Sequence, residues 1–343
     1  MNIPATIDAR PERAQQGSAS VLIVIPTLNE AANIARLLDW LSDRLERLNA
    51  HLVVVDGGSD DGTWEIAQRR SATHPRISLV HNPQRLQSAA VNLAVERFAG
   101  RDTAWLIRID AHALYPDDYC EVLIEEARVH GADSVVVSMV AVGQGFWQRA
   151  IALGQNGRFG NGGSAHRLAS TGRWADHGHH ALMRLGMFRR VGGYDPTFSH
   201  NEDAELDVRL KRAGFRIWLT GRTRMRYLPR QSPNRLALQY FRFGRGRART
   251  FRKHGQNLRA RQAVLVGLAP ILGLAAVTPL SPAFAAPLFL WLLACLAAGL
   301  WIAISERDWR GLASGFMAGL MQVSWSAGFW RETLSLTRSE LQR

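Results

Sequence analysis

The chain has 343 residues, 47% of them hydrophobic and 21% charged, which is room for one large α/β domain with an appendage and too apolar for global disorder. One segment carries the formal net charge of +13: 17 of the 42 Lys and Arg lie between residues 208 and 262, where there is no Asp or Glu. From Gln262 to Ser305 no residue is charged at all, and two cysteines, Cys120 and Cys295, exclude a disulfide framework or a four-cysteine zinc site.

Residues 1–20 lack the apolar centre of a signal peptide and read as a flexible tail. Val21–Ile25 is a β-branched run stopped by Pro26. A helical pattern follows over residues 30–48, with Leu37, Leu38, Leu41, Leu45 and Leu48 on one face. Leu52–Val55 reads as a buried strand opening into Asp56-Gly57-Gly58-Ser59-Asp60-Asp61-Gly62-Thr63, a loop of glycines and carboxylates. Further strands are predicted at Ile77–Val80, Trp105–Ile109 and Ser134–Val140, with helices over Ser88–Phe98 and Asp117–His130. This alternation predicts a mostly parallel sheet covered on both faces, with ligands at the carboxyl ends of its strands, where Asp56 and Asp110 stand. Eight glycines between Gly143 and Gly172 suit a mobile or ligand-covering segment. A helix over Asn201–Ala213 and a strand at Phe215–Thr220 complete a domain spanning residues 21–228.

A basic juxtamembrane segment, 229–262, leads into apolar runs at Ala263–Leu280 and Ala283–Ile304. At about 1.5 Å per residue each reaches across a hydrocarbon core of roughly 30 Å. Gly311–Trp330 is a third candidate span, with Gly311, Gly315 and Gly319 placed for close helix packing. Two to three transmembrane helices within 263–330, with three favoured, would precede a tail at 331–343; a buried hairpin of a soluble domain is the competing reading. The basic flank belongs in the cytoplasm by the positive-inside rule. Its arginines could meet nucleic acid, anionic lipid or a diphosphate. Adjacency to the apolar runs and the lack of a nucleic-acid-binding motif favour anionic lipid, with the diphosphate role compatible and nucleic acid not expected.

The chemistry is concentrated in carboxylates that follow successive strands: Asp56, Asp110, and Glu202-Asp203 at a helix start. A nucleotide-sugar enzyme needs one group for the nucleoside, one for a cation on the leaving diphosphate, and one to take the acceptor's proton. Asp60 and Asp61 read as helix caps. His177, His179 and His180 lie close together but lack a partnered ligand pattern, so they suit the lining of an acceptor or diphosphate pocket better than a metal site. Trp147 and Phe159 fit sugar stacking or the core equally. A dinucleotide oxidoreductase would need Gly-x-Gly-x-x-Gly where Pro26–Glu30 stands.

Taken together, IPTLNE (Ile25–Glu30), VVDGGSDDGT (Val54–Thr63), IDAH (Ile109–His112), GGYD (Gly192–Asp195) and NED (Asn201–Asp203) resemble inverting family 2 glycosyltransferases of the GT-A fold, over about residues 20–228. Asn82–Val95, the RIDAH run and Asp176–Arg184 look closest to the succinoglycan-type exopolysaccharide glucosyltransferases. The resemblance implies that Pro26, Asn29 and Glu30 cup the nucleotide, that Asp56 contacts uracil or ribose, and that Arg85 and Asn92 lie near the nucleotide. It makes Asp110 the first acid of an Asp-x-Asp metal motif, with His112 in place of the last, beside Mn2+ or Mg2+; imidazole suits Mn2+ better. Asp203 matches the catalytic base, and Glu202 would orient it or contact the acceptor. Gln239-Tyr240-Phe241-Arg242-Phe243 resembles the Gln-x-x-Arg-Trp element of processive synthases, placing Gln239 and Arg242, with His177 and His179, at the acceptor or diphosphate. The implied reaction moves glucose from UDP-glucose to a lipid-linked saccharide at a bacterial inner membrane. A polyprenyl-phosphate acceptor and a non-catalytic nucleotide-sugar-binding scaffold are the alternatives.

Overall fold

Residues 20–161, 171–258 and 260–340 are described in a computed structural model. Most of the expected N-terminal tail, residues 162–170 of the glycine-rich segment and residues 341–343 lie outside them. Among the described residues, nine strands form one sheet: β1 (Val21–Thr27), β2 (Ala50–Asp56), β3 (Ile77–His81), β4 (Trp105–Arg108), β5 (Ala113–Leu114), β6 (Ser134–Ala141), β7 (Arg173–Ala175), β8 (His179–Arg184) and β9 (Ile217–Tyr227). Their order is β3-β2-β1-β4-β8-β6-β9-β5, with β7 paired to β9. Strands β1 to β4 run parallel, and β8 enters antiparallel between β4 and β6. The register sets Thr27 beside Asp56 and Asp56 beside His81, so the carboxyl ends of these strands share one edge.

Along β1, Val21, Ile23 and Ile25 face one cluster and Leu22 and Val24 the other, so both sides of the sheet are buried. The first cluster takes Leu37, Leu38, Leu41 and Leu45 of α1 (Ala31–Leu45), Ala67 of α2 (Thr63–Thr73) and Leu123 of α4 (Tyr119–His130). The second takes Val91 and Ala94 of α3 (Gln87–Phe98). Each buried valine, leucine or isoleucine among these contributes about 1.5–3 kcal/mol by leaving water.

Beyond residue 143 the structure departs from the reading of a mobile stretch. The described part holds two helices, α5 (Phe146–Asn156) and α6 (Arg158–Asn161). Ala150 and Ile151 of α5 are buried in one cluster with Met317, Ala318 and Met321. The glycines here permit close backbone approach: a Cβ on Gly154 would lie 2.9 Å from the Ser314 carbonyl oxygen. Two short elements, α7 (Leu185–Arg190) and α8 (Glu202–Arg212), then cover the second face of the sheet.

The C-terminal third is helical. Helix α9 (Pro233–His254) starts at a Ser232 cap followed by proline and stops at Gly255, whose φ of +59° suits the left-handed turn. Then come α10 (Ala260–Gly273), which continues as a tighter helix to Leu280, α11 (Ala286–Ser305) and α12 (Gly311–Glu340). Ala260–Leu280 and Pro282–Ser305 are long and apolar enough to cross a membrane, with mean hydropathies of 2.1 and 2.3. Only 6% and 17% of their most apolar windows are buried, against the reading of a buried hairpin.

The favoured third span is not among these. Helix α12 runs 30 residues and packs against α5, α9, α10 and α11. Its polar groups are answered inside the fold: Gln322 donates to the Phe159 carbonyl and Ser326 to that of Val266. The expected glycine seam is present, since a Cβ on Gly315 would stand 2.0 Å from the Cys295 carbonyl oxygen. A second seam joins α9 and α12, where a Cβ on Gly328 would stand 2.0 Å from the Phe241 carbonyl oxygen.

Candidate active site

Two loops at the carboxyl edge of β1 and β2 form a cradle. Asp56 is 1% exposed and accepts from the Thr27 hydroxyl, the Gly58 and Ser59 amides and the Ser59 hydroxyl. Its carboxylate therefore shapes the turn. Asn29, left-handed at φ +57°, accepts from the Asp60 amide and donates its own amide to the Ser59 hydroxyl. Asp61 accepts from the amides of Ala31 and Thr63, at the starts of α1 and α2, in keeping with a capping role. Pro26 lies in β1 opposite Val55. Arg85 (φ +56°) reaches the Gly58 carbonyl from the loop after β3 and is exposed.

Beside the cradle lies a charged node built on Arg108, which is 1% exposed at the end of β4. Its Nη1 and Nη2 donate to the two carboxylate oxygens of Asp203 at 2.8 and 2.9 Å, a bidentate fork. Nη2 also donates to His179 Nδ1 at 2.9 Å, and Nε stands 3.8 Å from Asp110 Oδ1. Tyr194 completes the grip by donating its hydroxyl to Asp203 at 2.8 Å. Glu202 opens α8 beside Asp203. Asp110 also receives Gln87 Nε2 at 3.3 Å, while His112 Nδ1 lies 3.0 Å from Glu30 Oε1. The cradle and the node thus meet through Glu30.

The fields separate the carboxyls. Burial pushes Asp203 up, but the Arg108 guanidinium, with His180 and His179, outweighs it and holds the carboxyl well below the usual range. Burial and the neighbouring Asp203 charge raise Glu202 to about 7. Burial also raises Asp110, and His179 and Arg108 bring it below its ordinary value. His179 is pushed down to about 4 by burial and by Arg108, which matches its accepting role toward that guanidinium. His112 is raised, first by its hydrogen bond to Glu30.

Comparison with known proteins identifies the family. The sequence model described as Glycosyl transferase family 2 matches residues 22–192. Succinoglycan biosynthesis protein ExoA of Rhizobium meliloti (strain 1021) is 52% identical over 94% of this chain and 97% of its own length. The chain belongs to glycosyl transferase family 2. Dolichol-phosphate mannosyltransferase of Pyrococcus furiosus is 31% identical over 36% of this chain and 34% of its own. A solved mannosyltransferase of Pyrobaculum calidifontis, in complex with GDP-Man and Mn2+, superposes with a TM-score of 0.54 over 89% of this chain and 87% of that one, at 21% identity. That superposition shares the GT-A fold.

In this glycosyltransferase the fold gathers Asp110, His179, Glu202 and Asp203 around Arg108, with the His112–Glu30 pair on the Asp110 side. The other expected site residues lie apart from that node. Asn92 is tied on both amide atoms to the backbone of Tyr194. His177 and buried His180 both bind Asp207 of α8, so they anchor that helix. Arg242 lies on α9 in a separate cavity with His200, and Gln239 is half-buried one turn before it. Trp147 is exposed, while Phe159 packs against the α5–α12 cluster. The sequence reading missed Arg108, Tyr194 and Asp207. The one available signal was an arginine inside the apolar run Leu106-Ile107-Arg108-Ile109.

Proposed function

We propose that this enzyme is a membrane-anchored, inverting glycosyltransferase of bacterial exopolysaccharide assembly, its catalytic domain cytoplasmic at the inner membrane. It moves glucose from UDP-glucose to a lipid-linked saccharide. The observation that carries the reading is the fork from Arg108 to Asp203, which keeps a carboxylate ionised across from Asp110. The 52%-identical succinoglycan biosynthesis protein supports an exopolysaccharide product.

The nucleoside lies on the cradle of Pro26, Asn29, Glu30 and Arg85, where Asp56 holds the turn. Asn92 acts through Tyr194. The donor's diphosphate reaches Asp110 and His112. A divalent cation fits there: an imidazole whose second nitrogen meets the Glu30 carboxylate is the arrangement that orients a ligating histidine, and the donor set of carboxylate and imidazole suits Mn2+. Among the described residues no three His, Cys, Asp or Glu side chains form a closed metal cluster, so the diphosphate must supply the remaining oxygens. When bound, the cation offsets charge growing on the leaving diphosphate. Asp203 takes the proton of the acceptor hydroxyl. The oxygen bonds to the anomeric carbon from the face opposite the diphosphate as the carbon–oxygen bond to that group breaks, giving a β-glycoside from an α-linked donor. Glu202, raised to about 7 and so about half protonated near pH 7, is placed to hydrogen-bond the acceptor. Gln239, Arg242, His177 and His179 remain on the acceptor and diphosphate side of the reading.

Asp203→Asn tests the base. Transfer is expected to fall about 10²–10⁴-fold while UDP binding changes less than about twofold. A second reading, with polyprenyl phosphate as acceptor, is raised by the match to the dolichol-phosphate enzyme. A phosphate oxygen is already deprotonated and needs no base, so unimpaired transfer by Asp203→Asn would favour it.

A further inference from the structure

Between the loop preceding α8 and helix α9 lies a cavity of about 330 Å3 lined by Phe198, Ser199, His200, Arg242, Arg245, Gly246 and Arg249. Its walls are fixed. Gly246 lets α9 approach so closely that a Cβ there would stand 2.5 Å from the His200 carbonyl oxygen, and Asn201 donates its side-chain amide to the Phe243 carbonyl. Two of its three guanidiniums share one carboxylate. Glu332 of α12, 2% exposed, accepts from the Nε of Arg245 and of Arg249 and from neither one's terminal nitrogens. Arg242 is exposed and has no acidic partner among the described residues. Burial and then the charges of Arg242, Arg230, Arg245 and Arg249 push His200 down to about 4, a measure of how positive the space is. The nearby acids Asp195 and Glu205 are already paired with Lys253.

We infer that this cavity binds the diphosphate ester of the acceptor lipid through Arg242, Arg245, Arg249 and His200, placing the attached saccharide at Asp203. The inference rests on the lipid-linked acceptor proposed above. Its location argues for acceptor over donor. His200 precedes Glu202 and Asp203 by two and three residues, within about 11 Å of extended chain, whereas the donor's diphosphate is assigned to the end of β4. On its other side α9 packs Ala248 against Val266 of the apolar α10 and Phe329 of α12, so a lipid tail can leave along the apolar helices while its headgroup meets arginine forks.

The test uses the full chain in detergent, with farnesyl diphosphate, inorganic pyrophosphate and UDP as probes, and phosphatidylglycerol vesicles as a lipid control. Arg242→Gln breaks no ion pair and spares the fold. Arg249→Gln, with Arg249→Lys as conservative rescue, is followed with a melting curve. Farnesyl diphosphate is expected to bind the wild type more tightly than pyrophosphate, and about tenfold or more weakly in either Gln variant, with UDP affinity within about twofold. Pyrophosphate binding as tightly as the lipid ester would overturn the lipid assignment. Unchanged farnesyl diphosphate affinity, an equal loss of UDP affinity, or a loss confined to the vesicles would overturn the cavity assignment. With a lipid-linked saccharide as substrate, the Gln variants should raise the acceptor KM with kcat nearly constant. An active wild type whose acceptor KM is indifferent to both variants contradicts the cavity alone; a wild type that uses a water-soluble saccharide equally well contradicts the acceptor reading itself.

Discussion

Arg108 reaches four functional groups from one apolar strand, and its effect on Asp203 is the most exposed to test. A base with a depressed pKa stays ionised to low pH. Activity that needs ionised Asp203 therefore falls only when pH drops through that depressed value. Arg108→Gln removes the main lowering influence, so the acid limb of kcat/KM should move to higher pH, and kcat should fall about tenfold or more as the fork is lost. An unmoved acid limb would separate Arg108 from the base. The residue types of the site were legible in the sequence, because Asp56, Asp110 and Asp203 stand where strands end or a helix begins. Their partners were not. Asp56 is absorbed by its own turn two residues on, and Asn92 by Tyr194, 102 positions away, a contact that leaves no trace in local spacing.

At the scale of elements, α8 is held to the sheet by Asp207 against His180, both buried, and by His177. Against burial, Asp207 raises His180, and His180 and His177 lower Asp207. The carboxylate's contribution to stability is present above its unfolded pKa, about 4, and is lost as pH falls through the lower folded value. The histidine's is present below about 6.5 and lost as pH rises through its raised folded value. The pair is thus complete between about pH 4 and 6.5. Asp207→Asn should cost about 3–5 kcal/mol in that window, read from thermal unfolding across pH, and the loss should shrink at either side. The α9–α12 seam gives a second expectation. Gly328→Ala must part the two helices and lower the melting temperature, whereas Ala at Gly186, which meets open space, should not. The βα alternation through Val140 was readable from its periodicity. The glycine-rich stretch was not, since glycines that admit a neighbouring helix look the same in sequence as glycines that free a loop.

For the whole molecule, the two crossings proposed would bring Arg331 back to the side of the basic helix α9, whereas a third would place it opposite. Helix α12 is expected as a span because its uncharged run has the right length; its Gln322 and Ser326 find their partners in the tertiary fold. A cytoplasmic reporter fused after Arg343 should be active and an exported alkaline phosphatase inactive; the reverse would restore three crossings. The reaction itself is tested most directly in membranes containing the chain. They would be incubated with radiolabelled UDP-glucose and extracted lipid-linked saccharides, with Mn2+, Mg2+ or EDTA. Label is expected in an organic-extractable, acid-labile fraction, abolished by EDTA and by Asp203→Asn. Label that appears only in a water-soluble product, or in the lipid fraction undiminished by Asp203→Asn, would contradict transfer to a lipid-linked saccharide by this site.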